Sequence, residues 1–211
     1  MAFQLTETTS TVSLDDVIDP SACAVLVIDM QKDLLHPNYA KTIEHIAALV
    51  ASARAAGCYV VYVKNRVLDR DQSSSTAERT RRLRLGLNLN VTMDGTEGQE
   101  VVDELKPLAG DPVVFKHRLD AFHGTSLDML LRVRGVSTVI ITGVATHGCV
   151  TATSDASQSR DYNVVVARDC VASWDQSVHE ACIKVLESVM GFVADSTEIV
   201  KRWSLVKPTA R

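Results

Sequence analysis

A cysteine, a lysine and an aspartate, each placed where a buried apolar run gives out, are the residues of this chain best suited to covalent chemistry. Cys149 follows the largely apolar run 138–142 and a small-residue turn, Gly143-Val144-Ala145-Thr146-His147-Gly148, and it precedes a stretch, 150–157, that reads as the start of a helix. A cysteine that opens a helix lies at the positive end of the helix dipole, which favours thiolate over thiol and lowers the thiol pKa. Asp29 follows the run 24–28, and Lys116 follows 112–115. Taken singly, each has a plainer reading: a small buried cysteine, a turn-capping aspartate, a solvated lysine. Together they divide the work of a hydrolysis. Cys149 would be the nucleophile, and Asp29 the carboxylate that takes its proton and returns one to the leaving group. Lys116 would hold both and depress the thiol pKa. Backbone N–H groups of the turn before Cys149 would stabilise a tetrahedral oxyanion. No metal or cofactor is required.

The elements that must bring these residues together are legible as hydrophobic periodicity. Residues 24–28, 59–63, 112–115, 138–142 and 163–167 read as strands, the first a continuous apolar run of the kind buried on both faces of a parallel sheet, and 192–194 as a short last strand. Helices are predicted over 41–56, with Ile43, Ile46, Ala47, Val50 and Ala53 on one stripe and Gly57 as the stop, and over 99–105. Further helices are predicted after a Thr125/Asp128 capping pair up to Gly135, from Cys149 to about 160, and over 176–190. The alternation predicts an α/β fold, a Rossmann-like and mostly parallel sheet with helices on both faces. Ligands of such sheets bind outside the carboxyl ends of the strands. If the strands carrying Asp29, Lys116 and Cys149 neighbour one another, all three converge on one edge. Residues 65–98 break the rhythm: they are polar and arginine-rich, with a helix predicted over 75–85. The first 20 residues read as a polar arm with a short helix near 14–18.

The 211 residues are read as a single domain, 1–211, large enough for a proper core. A charged share of 23% and a hydrophobic share of 46% fit an ordinary globular protein. The net charge of -4 and a pI near 5.8 argue against a nucleic-acid partner, and Arg79, Arg81, Arg82 and Arg84 are too short a cluster to reverse that. Nothing approaches the ~18 apolar residues of a membrane span, and the N-terminus lacks the basic and apolar parts of a signal peptide. The cysteines Cys23, Cys58, Cys149, Cys170 and Cys182 are odd in number, with no CxxC pair. That pattern suits free thiols in a reducing cytoplasm rather than a disulfide frame or a zinc site. Neither GxGxxG nor GxxxxGK[ST] stands at a strand-to-helix turn, so a nucleotide-binding reading fails.

The stretches Val27-Ile28-Asp29-Met30-Gln31-Lys32-Asp33, Phe115-Lys116, Phe122-His123-Gly124-Thr125 and 142–150 resemble the isochorismatase-like cysteine hydrolases, over about residues 22–200. The resemblance implies the isochorismatase-like hydrolase fold and a triad of Asp29, Lys116 and Cys149. It also implies a cis peptide before Ala145, with an oxyanion hole made by the N–H groups of Ala145 and Cys149, no cofactor, and a homo-oligomer, dimer or tetramer. The family's nicotinamidases carry a metal-binding Asp-x-His after the second strand. Here that segment is Lys64-Asn65-Arg66-Val67-Leu68-Asp69-Arg70, with no histidine, which disfavours nicotinamidase activity and a bound metal. Isochorismatases proper cleave a vinyl ether and can dispense with the cysteine, so Cys149 favours C–N hydrolysis of a small amide or ureide through a thioester-type acyl-enzyme. A vinyl-ether hydrolase, or a non-catalytic binding or assembly module on the same fold, are the alternatives.

Substrate contacts fall on loops. The candidates are Gln31, two residues beyond Asp29 on the same side of an extended chain, His36 and Asn38 in the loop after Asp29, Arg82 of the arginine cluster, Phe122, His147 and Trp174. Arg82 reads either as an anchor for a carboxylate or ureide oxygen or as a solvated helix face or subunit contact. Phe122 reads as a stacking or a packing ring, His147 as a pocket wall or a turn cap, and Trp174 as part of a pocket or an interface.

Overall fold

Runs of β-branched and aliphatic residues pair into one sheet of six strands: β1 (Cys23–Ile28), β2 (Tyr59–Asn65), β3 (Val113–Lys116), β4 (Thr138–Val144), β5 (Asn163–Ala172) and β6 (Phe192–Ala194). The computed structural model describes residues 12–205, apart from the side chains of 70 and 71. The strand order is β3-β2-β1-β4-β5-β6, and every neighbouring pair is parallel. This is the doubly wound order, in which the winding direction reverses between β1 and β4.

Because successive strand residues point to opposite faces, each strand feeds two cores. Val25, Val27, Val60, Tyr62, Ile140 and Val165 pack on one face beneath α1 (Ala40–Ala55) and the last helix, through Ile46, Leu49, Val50, Ile199 and Trp203. Ala24, Leu26, Ile28, Val61, Val63, Val139 and Ile141 pack on the other, against Leu127, Leu131, Ile183 and Leu186. Leu26 is fully buried; a side chain so placed contributes roughly 1.5–3 kcal/mol. The remaining helices are α2 (Arg70–Ser73), α3 (Thr76–Arg84), α4 (Leu127–Val133), α5 (Thr151–Gln158), α6 (Gln176–Met190) and α7 (Ser196–Leu205).

Several sequence expectations shift. The helix predicted over 99–105 is instead two single 3-10 turns, Glu97–Gln99 and Asp103–Leu105. Between them, residues 100–102 run beside the chain leaving β1: Lys32 donates to the Glu100 carbonyl and Val102 to the Met30 carbonyl. The predicted Thr125/Asp128 cap is absent. Asp128 accepts the Tyr162 hydroxyl at 2.9 Å, and Thr125 Oγ1 accepts the Leu127 amide while donating to the Ala121 carbonyl. The short helix near 14–18 is a 3-10 turn, Leu14–Asp16. The arm is tied to α7, whose Trp203 indole donates to the Ile18 carbonyl at 3.1 Å; residues 1–11 lie outside the described residues.

Candidate active site

β1 ends at Ile28, and Asp29 turns out of the strand with φ 55°. That left-handed conformation is one that aspartate tolerates better than most residues. The Asp29 amide still donates to Val63 of β2 at 2.8 Å, and its carbonyl accepts the Gln31 amide at 2.8 Å. Lys116 is the last residue of β3 rather than the residue after it, paired in register with Asn65. β2 lies between β1 and β3, so the three site-bearing strands are not all neighbours. Strands are spaced roughly 4.8 Å apart, and only a side chain as long as lysine spans the end of β2 to reach Asp29.

It does so. Lys116 Nζ lies 2.8 Å from Asp29 Oδ2 and donates to Cys149 Sγ at 3.2 Å and to the Arg118 carbonyl at 3.0 Å. All three ammonium donors are therefore used. Lys116 and Asp29 are each 1% exposed. Burial opposes the lysine's charge, but Asp29 and Cys149 beside it outweigh that and hold its pKa above the ordinary value. Asp29 Oδ1 is buried and makes no hydrogen bond of ordinary geometry.

Cys149 does not open an α-helix. It is the fourth residue of a single π-helical turn, Thr146–Val150, which α5 follows. The turn hangs from the Ala145 carbonyl, which accepts the amides of Gly148 and Val150, and the Val144–Ala145 peptide bond is cis. α5 is built of small hydroxyl residues that sit close to the sheet. Thr151, Ser154 and Ser157 return their hydroxyls to the carbonyls of Thr146, Val150 and Thr153. The thiol pKa goes up, to about 12, against the expectation of a fall. Burial is the largest cause and the Asp29 charge adds to it, while Lys116 pulls the other way. The balance favours the thiol over the thiolate, and no α-helix opens on the sulfur to offset it.

The predicted substrate contacts scatter. Gln31 is fully buried and engaged as a strut: it donates to the carbonyls of Asn65 and Gln99 and accepts the Asn65 amide at 2.7 Å. It locks the loop after β1 to the 65–98 segment instead of reaching a ligand. Phe122 is a packing ring, 5% exposed, stacked on Tyr162 with the Arg160 guanidinium over it. His36 and Asn38 form their own turn, the histidine ring accepting the Asn38 amide. His147 and Trp174 do meet, ring centroids 4.3 Å apart and edge-on, with Ser173 Oγ 2.7 Å from His147 Nδ1. Burial, only partly opposed by Asp175, lowers the His147 pKa and favours a neutral ring. Trp174 is half exposed at this rim.

Arg82 lies on α3 with its side chain only 15% exposed, its Nη1 3.9 Å from Glu78 Oε1 and its Nη2 donating to the Asn88 carbonyl at 2.9 Å. Two participants escaped sequence reading. The Arg118 carbonyl is a backbone group that no residue type announces. The hydroxyl of Thr146, 2.8 Å from His179 Nδ1, depends on a contact between the π-turn and α6.

Residues 23–198 match the isochorismatase domain family. The ureidoacrylate amidohydrolase RutB of Methylorubrum extorquens is 34% identical over 201 residues, covering 84% of this chain and 81% of that protein. The N-carbamoylsarcosine amidase of Thermoplasma acidophilum superimposes with a TM-score of 0.70 at 31% identity, over 82% of this chain and 96% of that one. A cysteine hydrolase from Pseudomonas syringae pv. phaseolicola gives a TM-score of 0.81 at 26% identity, over 90% and 95% of the two chains.

Proposed function

The chain belongs to the isochorismatase family, and from that premise we propose that it is a cysteine hydrolase that cleaves the C–N bond of a small amide or ureide and releases ammonia or an amine. The observation that carries this reading is the single ammonium of Lys116 held between Asp29 and Cys149, at 2.8 and 3.2 Å. Similarity to an amidohydrolase and an amidase supports the same bond type.

In this reading Cys149 Sγ attacks the carbonyl carbon. Burial and the Asp29 charge raise the thiol pKa, so in this reading its proton leaves as the S–C bond forms, and Asp29, whose Oδ1 is buried without a hydrogen-bond partner, is the acceptor. Lys116 stays charged, balances Asp29 at rest, and compensates the negative charge that develops as sulfur attacks. The N–H groups of Ala145 and Cys149, at the two ends of the turn, are assigned to the oxyanion. Collapse of the tetrahedral intermediate breaks the C–N bond, the departing nitrogen takes the proton from Asp29, and a thioester remains. Asp29 then removes a proton from water, whose oxygen attacks the thioester carbon. The C–S bond breaks, the acid leaves (a carboxylic acid from an amide, a carbamic acid where the carbamoyl group of a ureide was transferred), and Asp29 returns the proton to sulfur, restoring the thiol.

The reading includes a homo-oligomer. It is supported by the exposure of Val178, Val185 and Val189 along α6, and sedimentation velocity tests it. A cytoplasmic location rests on the cysteine pattern.

Ammonia release from ureidoacrylate, biuret, carbamoylsarcosine, maleamate and nicotinamide, wild type beside Cys149→Ala, tests the function. Release by wild type alone supports the proposal. Release by both removes the cysteine mechanism and favours a hydrolase that needs no thiol.

A further inference from the structure

The π-turn that carries Cys149 is fastened at its first residue. Thr146 follows Ala145 and is fully buried, and its polar groups tie the turn to two different helices. Its carbonyl accepts the Thr151 hydroxyl of α5, and its own hydroxyl lies 2.8 Å from Nδ1 of His179, in the first turn of α6. The histidine is itself held in place. Its amide donates to the Asp175 carbonyl, and the Asp175 carboxylate caps the same turn through the amides of Ser177 and Val178. Burial lowers the His179 pKa; Glu180 opposes that shift and Arg168 adds to it. The neutral ring is thereby favoured, and one of its nitrogens keeps a lone pair. With that lone pair on Nδ1, the Thr146 O–H donates to it. Ala145 and Cys149, whose N–H groups are assigned to the oxyanion, lie one residue before Thr146 and three after it, so this bond to α6 bears on both.

We infer that His179 is a positioning residue of the reaction: through the Thr146 hydroxyl it holds the Ala145–Cys149 turn in the geometry that receives the oxyanion. It acts through Thr146 rather than on the reacting atoms. This inference rests on the hydrolase reading and deepens it, adding a residue of α6 to a site otherwise built at the ends of β1, β3 and β4. The leverage is large because a donor displaced by about 1 Å from its productive place costs about 100-fold in rate.

The test uses matched substitutions. Thr146→Val keeps the volume and removes the hydroxyl, while Thr146→Ser keeps the hydroxyl. His179→Asn keeps a polar atom at the place of Nδ1, and His179→Gln moves it one bond further out. The substrate is the amide of the ammonia-release panel that wild type turns over fastest. Thr146→Val and His179→Gln should lower kcat roughly 10- to 100-fold, with KM within about threefold of wild type. Thr146→Ser and His179→Asn should recover most of kcat. The pair Thr146→Val/His179→Gln should be no slower than the slower single variant, since both remove one bond. Wild-type kcat in Thr146→Val, equal damage from His179→Asn and His179→Gln, or additive losses in the pair overturns the inference.

A second measurement needs no hydrolysis. Acetaldehyde labelled at its carbonyl carbon is titrated into the protein. The Cys149 thiol adds across the C=O bond, sulfur to carbon and proton to oxygen, and NMR reads the hemithioacetal carbon, which Cys149→Ala should lack. The adduct oxygen falls where the oxyanion would, so His179→Gln should weaken the adduct at least roughly tenfold, and His179→Asn should not. Equal affinity in His179→Gln, or no adduct in wild type, rejects the inference. A His179-dependent adduct in a protein that hydrolyses none of the amides would locate the error in the hydrolase reading instead.

Discussion

Gly143 and Ile28 face each other where β4 parts from β1, and a Cβ at position 143 would lie 1.9 Å from the Ile28 carbonyl oxygen. With φ at +107° the position is closed to side chains on conformational grounds as well. The missing Cβ lets the two backbones approach this closely, and the approach bears on the site because Asp29 follows Ile28 and the turn after Gly143 leads to Cys149. Gly143→Ala is predicted to push the strand ends apart, costing more than about 3 kcal/mol of stability and lowering turnover at least roughly tenfold. Urea unfolding and kcat on the same preparation check this. A variant with wild-type stability would show that the strand ends have room.

Asp29→Asn is predicted to keep the left-handed turn, which asparagine also tolerates, and to lower kcat by roughly 10²- to 10⁴-fold. Lys116→Met should be as inactive but less stable, because it leaves a buried carboxylate without its cation, a defect of about 3–5 kcal/mol. The pair Asp29→Asn/Lys116→Met should recover much of that stability without recovering activity. Denaturant midpoints of the four proteins give the coupling. Additive losses would contradict the ion pair seen at 2.8 Å.

The same pair governs the thiol. Asp29 raises the Cys149 pKa and Lys116 lowers it, on top of the larger effect of burial. Alkylation of the Cys149 peptide by iodoacetamide at pH 8, read by mass spectrometry, should therefore be slow in wild type, faster in Asp29→Asn and slower still in Lys116→Met. The opposite order would mean that the sulfur senses neither charge as described.

Alkali should weaken the fold. Burial lifts Cys58 and Cys149 from an ordinary 9.0 to about 12, and raises Cys23 and Cys170 as well. An acid whose folded pKa is raised is neutral in both states below pH 9, so its contribution is intact there. Above pH 9 the unfolded thiol ionises while the folded one does not. Each pH unit up to about 12 then removes up to about 1.4 kcal/mol per thiol. Urea midpoints should be flat with respect to these groups below pH 9 and fall above it. A midpoint that rises between pH 9 and 11 would contradict the burial of these thiols.

The strands and long helices were legible because each spends a continuous run of residues on one periodicity. The run 24–28 needed burial on both faces, and the helix expected over 176–190 is α6, which the structure bounds with the Asp175 cap and the left-handed Gly191. What escaped depended on contacts remote in sequence. Nothing in residues 146–150 distinguishes a π-turn from a first α-helical turn, so the thiol was assigned a helix-dipole environment it does not have. Residues 99–105 carry a helical pattern, but the Met30–Lys32 segment claims the amides of 100–102 or their carbonyls first. Gln31 looked like a ligand contact because sequence shows its distance from Asp29 but not Asn65 and Gln99, 34 and 68 residues away. α7 was missed outright, its Ile199 and Trp203 being too few apolar positions to stand out before the core they cover is known.

Intact-mass analysis of enzyme quenched in acid during turnover bears most directly on the central claim. During hydrolysis of an accepted amide, wild type should gain the mass of the acyl group on the peptide containing Cys149, and Cys149→Ala should gain nothing and release no ammonia. A Cys149→Ala protein that releases ammonia at the wild-type rate would contradict the account.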